Sequence, residues 1–303
     1  MATVNRQMTP RIHFLVPFKS NVAFLHETLS SILAQSLPDW TATVFDDSAN
    51  PAEVDELVTH VGDARIVAIH NATPRGIGGN WNAALGATNA EFAALVHADD
   101  VLAPSYSKAV LSLHEHFPDS YGVFTGVRII DASGARKRFS APDVAKKILH
   151  PLLPEPCVVA GDAGLRSLLR GDFIFCPTVT YRVNRLRQPV FDESLRMTLD
   201  LQSFADAILR GEQFVGTKTA HYYYRRHAAS TTSTLNADAS RFDEELSTYR
   251  RIADTAARTG FERSARTGRR AAVVKGHLLY SVLASVVRGN ISHGRRYAAM
   301  LRS

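Results

Sequence analysis

The chain has 303 residues, 45% of them hydrophobic and 21% charged, with a net charge of +6. That length suits one large domain, or one domain with a smaller appendage, and the composition excludes a disordered or fibrous chain. No apolar run is long enough to span a bilayer, and the polar Met1–Pro10 segment lacks the apolar centre of a secretion signal. A cytoplasmic protein, or one at the inner face of a membrane, is therefore expected.

The first hundred residues alternate between strand and helix. Arg11 to Val16 is a short apolar run suited to a buried strand, and Val22 to Ala34 carries Phe24, Leu25, Leu29, Ile32 and Leu33 at helical spacing. Thr41 to Phe45 is the next strand, ending in Asp46-Asp47-Ser48, with a helix from near Pro51. Arg65 to Ile69 reads as a third strand, Gly78 to Thr88 as a helix and Glu91 to Val96 as a fourth strand. Such an order predicts an α/β fold, a mainly parallel sheet flanked by helices, with ligands beyond the carboxyl ends of the strands. Asn21, Asp46, Asp47, Asp99 and Asp100 all fall at those ends.

Further on, Tyr121 to Ile130 suits a strand turned by Asp131-Ala132-Ser133-Gly134, and Ala160 to Leu169 a helix ending at Gly171. A strand at Val179 to Val183, a helix at Leu199 to Leu209 and a strand at Phe214 to Tyr224 follow. From Ala237 the pattern is helical, with breaks expected near Gly260, Gly268 and Gly289. The predicted division is residues 1–235 as one domain and 236–303 as a basic helical extension. Arginines crowd that extension, from Arg250 and Arg251 to Arg295, Arg296 and Arg302, which suits an anionic partner or a solvated helix face. Its apolar residues from Val273 to Val287 suit packing on the main domain. A peripheral membrane contact, a homodimer or an acceptor-binding element is the less ordinary reading of the same pattern. Cys157 and Cys176 fit no zinc or redox spacing and read as buried thiols.

The chemistry concentrates in three segments. In His97-Ala98-Asp99-Asp100 two adjacent carboxylates follow a strand and repel each other. A divalent cation relieves that repulsion, and hard oxygen ligands favour magnesium or manganese; a turn with a helix cap explains the same acids without a metal. In Val44-Phe45-Asp46-Asp47-Ser48 one acid suits a nucleobase N–H and the other a cap on the following helix. Arg75-Gly76-Ile77-Gly78-Gly79-Asn80-Trp81-Asn82 combines a cation with glycines that allow close backbone approach to a phosphate or ribose. The segment is neither a dinucleotide fingerprint nor a P-loop.

Taken in order, these segments with Val16-Pro17-Phe18, Asn21, Ser30-Ser31-Ile32-Leu33-Ala34-Gln35-Ser36 and Val101-Leu102-Ala103-Pro104 resemble the family 2 glycosyltransferases of the GT-A fold. Leu169 to Ile174, Pro177 to Arg182, Phe191-Asp192-Glu193-Ser194-Leu195, Leu199-Asp200 and Tyr224-Arg225-Arg226-His227-Ala228-Ala229-Ser230 extend the resemblance to about residue 232. It implies an inverting transfer of a sugar from a UDP-, GDP- or dTDP-linked donor to an acceptor hydroxyl, assisted by Mn2+ or Mg2+. Asp46 and Asp47 would read the base, Pro17 and Phe18 would shape its pocket, and Arg75, Gly76 and Asn82 would flank the nucleotide. Asp99 and Asp100 would hold the ribose and the metal, with His227 completing metal or diphosphate binding. Asp200 would be the general base and Arg226 a counter-charge for the diphosphate, with Asp192 and Glu193 organising the acceptor side. Tyr222, Tyr223 and Tyr224 suit either a sugar-stacking cleft or cross-strand packing.

The sequence departs from the family pattern at Phe18 for a tyrosine, Leu199 for a glutamate and His97 for the first acid. It also lacks the Q-x-x-R-W run of processive polymerases. A sugar-nucleotide pyrophosphorylase is disfavoured, because Pro17 to Asn21 stands where its glycine-rich basic loop would be. A catalytically inactive relative that binds a nucleotide sugar or a partner is the alternative. No nucleic-acid module is present in the sequence, so no nucleic-acid partner is expected.

Overall fold

The structure, a computed structural model, describes residues 10–137, 155–228, 240–287 and 291–302. The domain boundary near residue 235, the break near Gly289 and the Ala229-Ser230 end of the last motif lie outside the described residues.

The opening alternation is β1 (Ile12–Phe18), α1 (Val22–Leu33), β2 (Trp40–Asp46), α2 (Pro51–Val61), β3 (Ile66–His70), α3 (Gly76–Gly86) and β4 (Phe92–Leu95). There follow β5 (Val101–Leu102), α4 (Tyr106–His116) and β6 (Gly122–Ile130). Next come β7 (Cys157–Val159), α5 (Gly161–Gly171), β8 (Thr180–Arg182), α6 (Leu199–Leu209) and β9 (Phe214–Arg225). The chain continues as α7 (Ser240–Arg258), α8 (Glu262–Arg270), α9 (Ala272–Val287) and α10 (Ile291–Arg302).

The strands run β3-β2-β1-β4-β8-β6-β9-β5 across the sheet, with β7 beside β9 off this path. Pairing is parallel from β3 to β4, with Ile12 opposite Trp40 and Phe18 opposite Asp46. Beyond β4 the pairs β4–β8, β6–β8 and β5–β9 are antiparallel, so the sheet is mixed. Ile12, Phe14, Leu15 and Val16 of β1 are all fully buried. A strand covered on both faces has no polar side, which is why β1 reads as a continuous apolar run. Each such side chain contributes about 1.5–3 kcal/mol by leaving water.

Two compact units divide the chain. The first comprises Met1–Arg128, Phe175–Val190 and Gly216–Tyr224. Within it α1 turns Leu25, Leu29 and Ile32 inward, the spacing of one helix face. Asn21 starts that helix in the left-handed conformation, its side chain accepting the Phe24 N–H at 3.2 Å.

The second unit comprises Ile129–Ile174, Phe191–Val215 and Arg225–Ser303. Here α5, α6, α7, α8 and α9 pack on one another. Asp162 of α5 accepts the N–H groups of Arg263 and Ser264 and the Ser264 hydroxyl, capping the start of α8. The break expected at Gly268 falls instead at Ala271, which has φ +43°. Gly268 lies inside α8, where a Cβ would sit 2.9 Å from the Ala253 Cβ and 3.0 Å from the Tyr249 carbonyl oxygen. The missing side chain thus serves close approach of α8 to α7 rather than a turn.

Candidate functional site

In the first unit the polar residues sit where β1, β2 and β4, three adjacent parallel strands, end. Asp47 follows β2 and donates its N–H to the Phe18 carbonyl at 2.8 Å. Its Oδ1 accepts the Arg75 N–H at 2.8 Å and the Asn71 side-chain amide at 3.1 Å. Its Oδ2 accepts the Gly76 N–H at 3.1 Å. A buried carboxylate therefore holds the first peptide groups of α3, where the helix dipole favours negative charge. Gly76, at φ +71°, makes the turn into that helix. Asp46 is 2% exposed; its Oδ1 accepts the Ser48 N–H and its Oδ2 meets the His70 Nδ1, both at 2.8 Å. The second His70 nitrogen reaches Asp55 at 2.9 Å, and Asp46 and then Asp55 raise the imidazole pKa above its ordinary value. Neither Asp46 nor Asp47 caps α2, which starts at Asn50 without a side-chain cap.

Around this loop Arg75 is exposed, and its Nε donates to Asn71 Oδ1 at 2.8 Å. Pro17 is half-buried opposite Phe45. Phe18 and Asn82 are enclosed, at 2% and 9% exposure. The Asn82 side chain accepts the Val190 N–H at 3.0 Å.

After β4 the chain turns through His97, Asp99 and Asp100, which offer ligand atoms all within 4.8 Å of one another. Asp100 is 1% exposed, and the Tyr222 hydroxyl donates to its Oδ2 at 2.9 Å. Burial, then the Asp100 charge, pushes that phenol well above its usual pKa. The His97 ring stacks on Trp81 with centroids 5.2 Å apart. Its Nδ1 is 3.9 Å from Asp100 Oδ2, and its Nε2 is buried without a hydrogen-bond partner. Desolvation lowers the His97 pKa, which favours the neutral imidazole that binds metals.

The serine- and glutamine-bearing run of α1 has a visible purpose. Thr28 donates its hydroxyl to the Asp100 carbonyl at 2.7 Å, and Ser31 Oγ accepts the Leu102 N–H at 3.0 Å. Gln35 donates to the Ala103 carbonyl and accepts the Ser107 N–H, both at 2.9 Å. Thr28 and Ser31 of α1, with Gln35 just past the end of that helix, thus satisfy the backbone of the acidic turn and the segment after it.

The remaining expected residues belong to the second unit. Asp200 lies in the first turn of α6, where its Oδ1 accepts the Leu201 N–H at 2.8 Å. It is not the N-cap; Thr198 is. Glu244 of α7 accepts the N–H groups of Arg196, Met197 and Thr198 ahead of that helix. Asp192 Oδ1 accepts the Ser194 hydroxyl at 2.6 Å, and its Oδ2 lies 3.2 Å from Arg251. The Ser194 hydrogen bond is the main cause of its depressed pKa. Glu193 is exposed. Arg226 and His227 are half-buried just past β9, with the Arg226 N–H donated to the Ile130 carbonyl at 2.9 Å.

In the sequence Asp99 and Asp100 are adjacent and His97 stands out only as a departure from the family motif. The structure groups His97 with both acids. Its position, one residue before the Ala98-Asp99-Asp100 run, was the available signal. Of the two roles the sequence suggests for Tyr222, packing is the one seen: the residue is fully buried, edge-on to Tyr106, with its hydroxyl on Asp100.

Residues 14–168 match the model of Glycosyl transferase family 2. The chain is 25% identical over 230 residues to the succinoglycan biosynthesis protein ExoO of Rhizobium meliloti (strain 1021), covering 76% of this chain. It spans 64% of the length of that relative. The structure is similar to S. aureus TarS 1-349 in complex with UDP-GlcNAc, with a TM-score of 0.63 at 16% identity, over 96% of this chain and 91% of that one. It is also similar to the mannosyltransferase PcManGT from Pyrobaculum calidifontis in complex with GDP-Man and Mn2+. There the TM-score is 0.56 at 12% identity, over 97% and 86% of the two chains. These likenesses show the GT-A fold. With the family match over half its length, the chain belongs to glycosyl transferase family 2.

Proposed function

We propose that the protein is an inverting, non-processive glycosyltransferase that moves a sugar from a nucleoside-diphosphate donor to an acceptor hydroxyl. The observation that carries this reading is the His97–Asp99–Asp100 cluster after β4 in a chain of this family. Two carboxylates and an imidazole with a buried, unpartnered Nε2 fit a divalent cation, Mn2+ or Mg2+. Asp99, Asp100 and His97 would hold it, with His227 a further ligand drawn from the family motif. When bound, such an ion offsets the charge of the departing diphosphate.

The chain's own residues do the rest. Asp47 and Asp46 read the base, in a pocket shaped by Pro17 and Phe18, and Arg75 flanks the nucleotide. Gly76, Asn82 and Asp99 flank the ribose and phosphates. Asp200 accepts the acceptor's hydroxyl proton as that oxygen bonds to the anomeric carbon and the donor's sugar–diphosphate bond breaks. One such displacement inverts the anomeric centre. Arg226 faces the leaving diphosphate, and Asp192 and Glu193 organise the acceptor side. Residues 1–235 supply this machinery, and residues 236–303 form a basic helical extension. Two similar proteins are seen in complex with UDP-GlcNAc and GDP-Man, which supports a UDP- or GDP-linked donor, with a dTDP-linked sugar the third candidate.

Calorimetric titration with UDP, GDP and dTDP, each with and without Mn2+, tests the reading in the wild type and Asp100→Asn. Binding of one nucleotide that needs both the ion and Asp100 supports it and names the base. No binding to any of the three overturns it. Metal-dependent binding without donor hydrolysis or transfer would mark an inactive, nucleotide-sugar-binding relative. Loss of turnover in Asp200→Asn with nucleotide binding intact identifies the base.

A further inference from the structure

The last helices of the second unit present a surface that the transfer chemistry does not use. Helix α9 turns Val274 and Leu278 inward, at 3% and 0% exposure. Its outward residues are Ala272, Gly276, Leu279, Tyr280, Leu283 and Val286. Steps of three and four keep them on one face. Leu279, Tyr280, Leu283 and Val286 are 52%, 54%, 58% and 60% exposed. They are four of the seven large hydrophobic side chains exposed among the described residues. A solvent-facing helix stripe is ordinarily polar and charged; this one holds no charge.

Along the sequence from Arg263 onward charge has a single sign, and of these cations Arg269 lies 3.9 Å from Asp254 of α7. From Arg263 to Ser303 the sequence has eight arginines and one lysine and no aspartate or glutamate. Those nine positive charges exceed the +6 of the whole chain, so the preceding residues are net acidic. Arg263, Arg266, Arg269 and Arg270 are exposed on α8, directly before the apolar stripe, and Arg296 is exposed on α10. With 16 residues, α9 is about 24 Å long, short of the roughly 30 Å hydrocarbon core of a bilayer. No described helix is long and apolar enough to cross a membrane.

We propose that this face docks on a bilayer rich in anionic phospholipid. The Leu279–Val286 stripe enters the boundary between headgroups and acyl chains, and the exposed α8 arginines and Arg296 meet the lipid phosphates. Charge decides the occupant: a second copy on the same face would oppose two basic segments, which repel, whereas an anionic surface complements both features at once. The inference goes beyond the transferase reading and does not depend on it.

Co-sedimentation of the full chain with phosphatidylcholine vesicles, plain or with roughly a third phosphatidylglycerol, tests it. The expected result is binding at least about tenfold tighter to the anionic vesicles and weakened by salt. L279Q/L283Q and R266Q/R270Q should each weaken it by about tenfold, with melting temperature and nucleotide binding in solution unchanged. These positions are exposed, so the substitutions spare the core. Equal binding to both vesicle types, no binding, or unweakened binding by both variants would overturn the proposal. So would a wild-type dimer in solution that L279Q/L283Q turns into a monomer.

Discussion

Replacing Glu244 by alanine tests whether α7 positions the start of α6 and, through it, Asp200. Glu244 Oε1 accepts the Met197 N–H at 2.7 Å, the Thr198 N–H at 2.9 Å and the Thr198 hydroxyl at 3.1 Å. The Arg196 N–H is shared between both carboxylate oxygens at 3.1 Å. Thr198 is 5% exposed, so its bared N–H would find little water, at a cost of about 1–3 kcal/mol. Met197 is half-buried and adds about 1 kcal/mol. Arg196 is exposed and would be rehydrated, and the Thr198 hydroxyl keeps Thr248 at 2.8 Å. The expected loss is about 3 kcal/mol in urea unfolding. Glu244→Gln, which keeps an acceptor oxygen in place, should lose about half as much. Because Asp200 lies two residues beyond Thr198, kcat should fall in Glu244→Ala while the nucleotide Kd holds. Destabilisation under about 0.5 kcal/mol, or a parallel loss of nucleotide binding, would refute the reasoning.

Three other outcomes are expected. If His97 holds the cation as proposed, His97→Asp replaces a nitrogen ligand by an oxygen, and the ratio of Mg2+ to Mn2+ affinity in nucleotide titrations should rise about tenfold. Burial pushes the imidazole of His114 down to about 3 and that of His13 to about 4. The unfolded chain protonates both near pH 6.5, so their contribution is complete above that pH and is lost as pH falls. Each should cost on the order of 2 kcal/mol at pH 5. His70, whose pKa is raised, acts in the opposite sense. The readout is therefore the difference in urea midpoint between wild type and His114→Asn from pH 7 to 5; an unchanged slope in the variant would contradict it. Gly126→Ala would drive a methyl into the Lys218 carbonyl oxygen, with the Lys218 carbonyl carbon 2.8 Å away. Backbone of the facing strand cannot yield cheaply, so a loss of about 2–3 kcal/mol, read as a drop of at least about 5 °C in Tm, is expected.

The parallel half of the sheet was legible because β1, β2 and β4 are buried on both faces and α1 and α2 each turn one apolar stripe inward. Local pattern alone separates those two cases. The antiparallel half was less so. β5, antiparallel to β9, has only two residues, too few for a period. Gly268 misled for a related reason: a glycine that permits helix contact and one that ends a helix look alike without the partner helix.

For the candidate site, motif order alone pointed to Asp47, Asp99, Asp100 and Asp200, because chemistry at strand and helix ends leaves acids at recognisable spacings. It did not disclose what those acids touch. That Asp47 holds the start of α3, that Tyr222 lies on Asp100, and that Ser31 and Gln35 pin the acidic turn are contacts between residues 28 to 122 positions apart. Composition and local periodicity set which segments are strands, helices and turns, since those depend on neighbours a few residues away. Which buried carboxylate meets a hydroxyl, a peptide group or the imidazole of His97 depends on how distant segments pack, and only the tertiary structure decides that.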